Sequence, residues 1–407
     1  DITPLAKPGS EQTLRFRIAR PTGGSYAGIG GDVFLLSRPK GRHISGVVTS
    51  SSSSSSEVNL RLLIRGSGKA GGVSIAAAFS GEGASKRFAG STNMPADGDV
   101  SLQFAWRWTD PPLWRVRASK LLSLKVEVSG PDFRDEWSGP FGFREFTWDG
   151  RWFRLNGAKE RLVAAPSPGG GTLEAIEVEL RRLAGAGFNA VVCDGRAWGP
   201  GRGAPDAAWL CEAASREGLL VVAPVAGLTT ALDGWSRDRG DIFWNDNVAR
   251  EVGRLGAWPS VVAWSTDDGG LHFSGAAHPA RFGVRSWPSS ESWRDRARVA
   301  GFALEAMRRA DPWRPVMVSG GGPLGEIDAP RAMAGWAPAQ EVEDWPSRWA
   351  EAGEMPYIAF DCWPASGVGI FARGREWLGP LVAEHAAAEL GPSAYAREDR
   401  KSTRLNS

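Results

Sequence analysis

Residues 141–157 read FGFREFTWDGRWFRLNG, and the texture of the chain changes across them. Before them, short apolar alternations are split by Gly, Ser, Pro and Asp: LRFRIAR, DVFLLS, VNLRLLIRG, VSIAAAF, SLQFAWRW and LSLKVEVSG. Alternation of period two buries one side of each strand, so residues 1–147 are expected to form an antiparallel β-sandwich. The serine run Ser50–Ser56 reads as a mobile low-complexity loop, too polar for a core strand.

After Asp149, β-rich runs alternate with amphipathic helices, the pattern of a parallel α/β domain. Strands are expected at Arg161–Ala165, Asn189–Cys193, Leu219–Val225, Val261–Ser265, Pro315–Ser319, Ala329–Gly335 and Pro356–Cys362. Helices are expected at Thr172–Ala186, Pro205–Glu217, Asn247–Leu255, Glu291–Arg309 and Glu376–Leu390, the last with Pro380 near its first turn. These strands number one fewer than a closed (β/α)8 barrel needs, so residues 148–398 read as an incomplete TIM barrel lacking strand 8. The tail Asp399–Ser407, DRKSTRLNS, resembles the translation of a sequencing-library adapter. On that reading the natural sequence stops near Glu398 and the chain is a fragment.

Bulk composition narrows the function classes. A length of 407 residues favours two domains over one core. The 48 Lys+Arg against 46 Asp+Glu are mixed along the chain, which disfavours a nucleic-acid partner, since that needs a basic stripe. Cys193, Cys211 and Cys362 have no C-x-x-C spacing, and with only His43, His272, His278 and His385 a zinc site is not expected. No apolar run approaches the ~20 residues of a membrane span. The chain opens on Asp1 rather than methionine, compatible with a removed or unsequenced signal peptide and so with a secreted or periplasmic protein. Compartment and oligomeric state stay open.

The junction is similar to the segment joining the immunoglobulin-like domain to the barrel in glycoside hydrolase family 2. The matching pieces are Leu113-Trp114, the F-G-F-R-E block Phe141–Glu145 and the F-x-L-N-G turn Phe153–Gly157. Further on, AGFNAVV, CEAASREGLLVVAP, RRADPWRPVMVS and EMPYIAFDCW resemble the family's second, third, fifth and seventh strands. RLGAWPSVVAWS resembles its R-x-H-P-S-x-x-x-W-S fourth strand, with Trp258 in place of the histidine. The resemblance implies an immunoglobulin-like β-sandwich followed by the barrel, acting on or binding carbohydrate. It implies no cofactor, although some relatives bind cations.

Retaining hydrolysis, the outcome expected of that family, needs two carboxyl groups roughly 5 to 5.5 Å apart, one protonating the leaving oxygen and one attacking the anomeric carbon. The family's acid is the glutamate of W-S-x-x-N-E after strand four. Aligned on Trp264-Ser265, that motif becomes W-S-T-D-D-G, so Asp268 stands at the asparagine and Gly269 at the acid. Glycine cannot transfer a proton. The family's nucleophile, a glutamate closing strand seven, falls on Asp361, one methylene shorter. Losing that methylene draws the carboxylate back by roughly 1 Å, which costs rate where near-attack geometry is needed.

Other family positions are also changed. RLVAAP lacks the His and Arg that follow L-N-G, Cys193-Asp194 replaces a common arginine, and Ala223-Pro224 ends the third strand where an acid is usual. Met333–Trp336 lacks a His-Tyr pair. These departures favour a non-hydrolytic, carbohydrate-binding member. The alternatives are an active enzyme with Asp361 as nucleophile and Asp268 or Asp267 as acid, and a structural module without ligand. Adjacent acids before two glycines also suit a plain solvated turn.

Indole faces stack on sugar C–H surfaces, so among 20 tryptophans Trp198, Trp264, Trp336 and Trp363, near expected strand ends, are candidate substrate contacts. Most tryptophans are expected to pack in the core. His272 could bond a sugar hydroxyl, though a lone loop histidine is more often polar surface. Gly320–Gly325, GGGPLG, satisfies G-x-G-x-x-G, but Pro323 and the lack of a following helix make it a strand-five loop rather than a dinucleotide site.

Overall fold

The computed structural model describes residues 41–168, 172–193, 207–225, 248–266, 291–318, 324–329 and 349–358, with Ser347 and a few positions between Lys7 and Arg15. The antiparallel part holds β1 (His43–Ser52), β2 (Glu57–Arg65), β3 (Gly71–Gly81), β4 (Ala84–Met94), β5 (Val100–Arg107), β6 (Leu122–Ser129) and β7 (Arg134–Phe141). One sheet has the order β1-β2-β5 and the other β4-β3-β6-β7. On β3 Val73, Ile75, Ala77 and Phe79 are buried, and on β6 Leu122, Leu124, Val126 and Val128. They share one core with Val47, Leu60 and Leu62 of the facing sheet, closed by edge-on packing of Phe79 on Trp108 and Phe141. Each fully buried side chain of this size contributes about 1.5–3 kcal/mol.

The serine run is not a loose loop. Ser50, Ser51 and Ser52 continue β1 in register with Asn59, Val58 and Glu57, and the turn beyond them leads into β2. Ser51 is buried: its hydroxyl donates to the Arg144 carbonyl and accepts from the Arg144 amide. Ser52, Ser53 and Ser54 donate their hydroxyls to the Glu145 carboxylate at 2.7, 2.8 and 3.1 Å. Burial pushes the Glu145 carboxyl up, but those donors together hold it below its ordinary value. A low-complexity sequence thus serves as a cradle for one carboxylate of the junction.

Across the junction, β8 (Phe146–Asp149), β9 (Trp152–Leu155) and β10 (Ala158–Glu160) form a small antiparallel sheet. The parallel part follows: β11 (Ala164–Pro166), α1 (Leu173–Gly185), β12 (Ala190–Val192), α2 (Ala207–Glu217), β13 (Leu220–Pro224), α3 (residues 248–255), β14 (Val261–Ser265), α4 (Glu291–Ala310) and β15 (Val316–Met317). The five strands pair in chain order, all parallel. Helix α1 begins where the sequence puts a cap, with the Thr172 hydroxyl accepting from the Ala175 amide at 3.3 Å. The helix expected at Glu376–Leu390 lies outside the described residues.

Two further parallel bridges, Met317 with Ile327 and Asp328 with Tyr357, carry the pairing past β15. These bridges lie just before the strand expected at Ala329–Gly335, of which all but Ala329 is outside the described residues. Gly325, at φ +92°, turns the chain back so that the Glu326 amide donates to the Val316 carbonyl at 2.9 Å. The Glu326 carboxylate accepts from the Val316 amide at 2.9 Å, which ties this segment to β15.

The parallel sheet has a core on each face. Val191, Val221, Ala223, Val261 and Trp264 pack with α1, α2, α3 and α4, while Val192, Leu220, Val222, Val262 and Ala263 pack with Phe146, Phe153, Leu155 and Trp114. The small sheet and the loop before β6 thus fill the inner face.

Contact between the antiparallel and parallel parts is close. A Cβ placed on Gly46 of β1 would lie 2.3 Å from Gly253 Cα in α3, so the two backbones touch where only glycine fits. Beside it the Thr49 amide donates to the Gly256 carbonyl at 3.2 Å. The Trp114 indole reaches the Ser215 carbonyl at the end of α2, 3.0 Å away. Among the described residues no helix is long and apolar enough to cross a membrane.

Candidate functional site

In the sequence, the candidate carboxylates Asp267 and Asp268 follow β14 and Asp361 falls in the strand expected at Pro356–Cys362. Asp267, Asp268, Gly269, His272, Trp198, Trp336, Trp363 and Asp361 all lie outside the described residues. What the structure places is the strand end that carries the first group, and the network holding it.

Strand β14 is the fourth parallel strand, between β13 and β15. Val221 of β13 pairs with Val261, but Val222 pairs with Ala263, so β14 has one extra residue at Val262. A bulge of this kind re-aims the side chains beyond it. Val261 faces the helices, Val262 and Ala263 both face the inner core, and Trp264 returns to the helix side. Trp264 is 0% exposed, its indole donating to Asp311 Oδ2 at 2.8 Å. The Arg314 guanidinium lies 5.9 Å from its ring centre. The ring expected at a cleft wall is enclosed by the core and has no face open to a sugar.

Beyond Trp264, the Ser265 and Thr266 hydroxyls are buried with no hydrogen-bond partner among the described residues. The Thr266 amide still donates to the Met317 carbonyl at 3.0 Å, so the backbone pairing continues one residue past β14.

Under the start of β14 lies a charged cluster that reading the sequence for catalytic carboxylates passed over. Asp311 is 0% exposed and Arg314 5%. Arg314 Nη1 meets Asp311 Oδ2 at 2.7 Å, and its other nitrogens donate to the carbonyls of Val261 at 2.7 Å, Gly256 at 2.9 Å and Thr49 at 3.0 Å. Arg144 of the F-G-F-R-E block donates to the Pro259 carbonyl at 2.7 Å and also to Val261 O. Burial first, and the Arg314 charge second, push the Arg144 guanidinium well below its ordinary value, against a smaller pull from Asp311. Its two carbonyl partners are met by the planar N–H fork, a geometry that arginine supplies and lysine does not. The available signal was chemical: F-G-F-R-E and D-P-W-R-P each set an arginine among apolar and proline residues.

The cluster is structural chemistry. Two guanidiniums, Arg314 paired with the buried Asp311 and both bonded to backbone carbonyls, bind the two parts of the chain and offer no free acid or nucleophile. Among the described residues no group of three His, Cys, Asp or Glu side chains could hold a metal ion.

Antiparallel sheets followed by a parallel, helix-covered sheet define a mixed β and α/β fold, and that fold is shared with solved members of glycoside hydrolase family 2. One is a glycosyl hydrolase family 2 member from Bacteroides cellulosilyticus: TM-score 0.53, 16% identity, with 78% of this chain and 45% of that one covered. A second is the β-glucuronidase of Parabacteroides merdae, at TM-score 0.54, 14% identity and coverage of 78% and 40%. A third is a putative β-galactosidase from Bacteroides fragilis, at TM-score 0.53, 13% identity and coverage of 78% and 48%. The chain spans less than half the length of each. No family model and no curated protein matches the sequence.

Proposed function

We propose that this chain is the sandwich-and-barrel portion of a glycoside hydrolase family 2-like protein that binds carbohydrate and, in this form, does not hydrolyse it. Residues 1–147 are read as an immunoglobulin-like β-sandwich and 148–398 as a domain of the (β/α)8 barrel type. Five parallel strands in chain order and two further bridges support the barrel reading.

The observation that carries the functional reading is the position of β14. It is fourth in the sheet order and ends at Ser265, which supports aligning W-S-x-x-N-E on Trp264-Ser265 and so putting Gly269 at the acid position. Without a proton donor the leaving oxygen departs as an alkoxide, and general acid catalysis worth roughly 10²–10⁴-fold in rate is lost. Sugar binding needs no such group. With Trp264 in the core, the aromatic contacts are assigned to Trp198, Trp336 and Trp363, with His272 as a polar contact.

Titration calorimetry with glucuronic acid, galactose and their methyl β-glycosides tests the binding half of the proposal, these sugars being chosen from the enzymes that share the fold. Saturable binding of at least one sugar is expected, weakened about tenfold by Trp363→Ala, the size of one lost stacking contact. Absence of binding across the set would favour a structural module without ligand.

A further inference from the structure

The phase of β14 is held by residues outside it. We propose that Arg144 and Arg314 are positioning residues that sustain the one-residue bulge at Val262, and so decide that Trp264 faces the helices at the strand end leading to the candidate site. The inference stands on the described geometry and holds whether or not the chain binds a sugar.

A bulge leaves its extra residue out of the ladder and leaves neighbouring backbone groups in need of other partners. The carbonyl that opens this bulge is Val261 O, and it receives donors from both guanidiniums: Arg314 Nε at 2.7 Å and Arg144 Nη2. The same arginines hold the approach to the strand, through Gly256 O and Pro259 O. Arg144 is itself fixed from the other side, where Ser51 exchanges hydrogen bonds with its backbone.

The bulge has a definite consequence. Strand β13 keeps simple alternation, with Leu220 and Val222 inward and Val221 and Ala223 toward the helices. Were β14 to follow it residue for residue from Val261, Ala263 would face the helices and Trp264 the inner core. The indole would then lose Asp311 and compete for space with Met317 and Val222. Arg314, by also binding Asp311 Oδ2, holds the acceptor that the correctly phased Trp264 needs. A side chain of the antiparallel part, Arg144, therefore governs the geometry of a strand in the parallel part.

Hydrogen exchange on the full-length chain tests this through three amides that donate across the parallel sheet: Trp264 to Pro315 O, Thr266 to Met317 O and Cys193 to Val222 O. In Arg144→Met, protection at Trp264 and Thr266 is expected to fall by about tenfold or more while Cys193 keeps its value, the signature of a local opening. Should that variant not fold, Arg144→Lys keeps the charge but not the planar fork, and the same selective loss is expected. Equal loss at all three amides would mean that the arginine contributes only global stability. That result, or unchanged protection at Trp264 and Thr266, would overturn the proposal.

Discussion

Arg314→Met is expected to destabilise the protein by about 3–5 kcal/mol, read as a lower midpoint in denaturant unfolding. The substitution removes donors to three backbone carbonyls, Thr49 in β1, Gly256 after α3 and Val261 in β14, all within the buried junction. It also leaves Asp311, fully buried, without its ion-pair partner. The Trp264 indole and the Trp313 amide would remain on that carboxylate, but neither carries charge. The paired change Asp311→Leu with Arg314→Met is expected to recover a measurable part of the loss, because no lone charge stays buried. If Arg314→Met alone leaves the midpoint within experimental error of wild type, the cluster does not hold the junction together.

Gly46→Ala is expected to cost about 2–4 kcal/mol, although it adds one methyl group. The new Cβ would lie 2.3 Å from Gly253 Cα and 2.9 Å from its carbonyl carbon, and neither is a flexible side-chain end that could step aside. The antiparallel part must then shift off α3, stretching the bond between the Thr49 amide and Gly256 O that starts at 3.2 Å. Gly301→Ala in α4 is the control, since its Cβ meets nothing within 4 Å and alanine is the better helix former. A Gly46→Ala protein as stable as the Gly301→Ala protein would contradict the close contact.

Much of the parallel part could be read from sequence because its strands are buried on both faces and α1 carries its own cap. Val261–Ser265 coincides with β14, and Thr172 caps α1. The antiparallel part was less legible at its edges. β1, β4 and β7 were not expected, and each is an edge strand of its sheet. Edge strands carry polar and charged residues that discourage pairing with another chain, which erases the alternation by which a strand is recognised. In β4, ASKRFAGSTNM, seven of eleven residues are exposed, and β1 ends in the serine run.

The candidate site was legible as a position and not as an arrangement. Trp264-Ser265 could be matched to a strand end, but the side that Trp264 faces depends on one extra residue in β14 and on arginines far off in sequence. Periodicity within five residues carries no trace of either. The pairing of Ile327 beside β15 was not legible for a similar reason: the Glu326 carboxylate and the turn at Gly325 hold it there, and neither belongs to an apolar run.

With Gly269 at the acid position the chain is expected to be unable to hydrolyse glycosides, and turnover reads this out. The full chain would be assayed against methyl β-glucuronide, methyl β-galactoside and β-linked disaccharides, whose alkoxide leaving groups need a proton donor, beside Asp361→Ala. The expected result is the same rate for both proteins, no faster than the uncatalysed reaction. Wild-type turnover that Asp361→Ala abolishes would contradict this and identify an active glycosidase with Asp361 as its nucleophile.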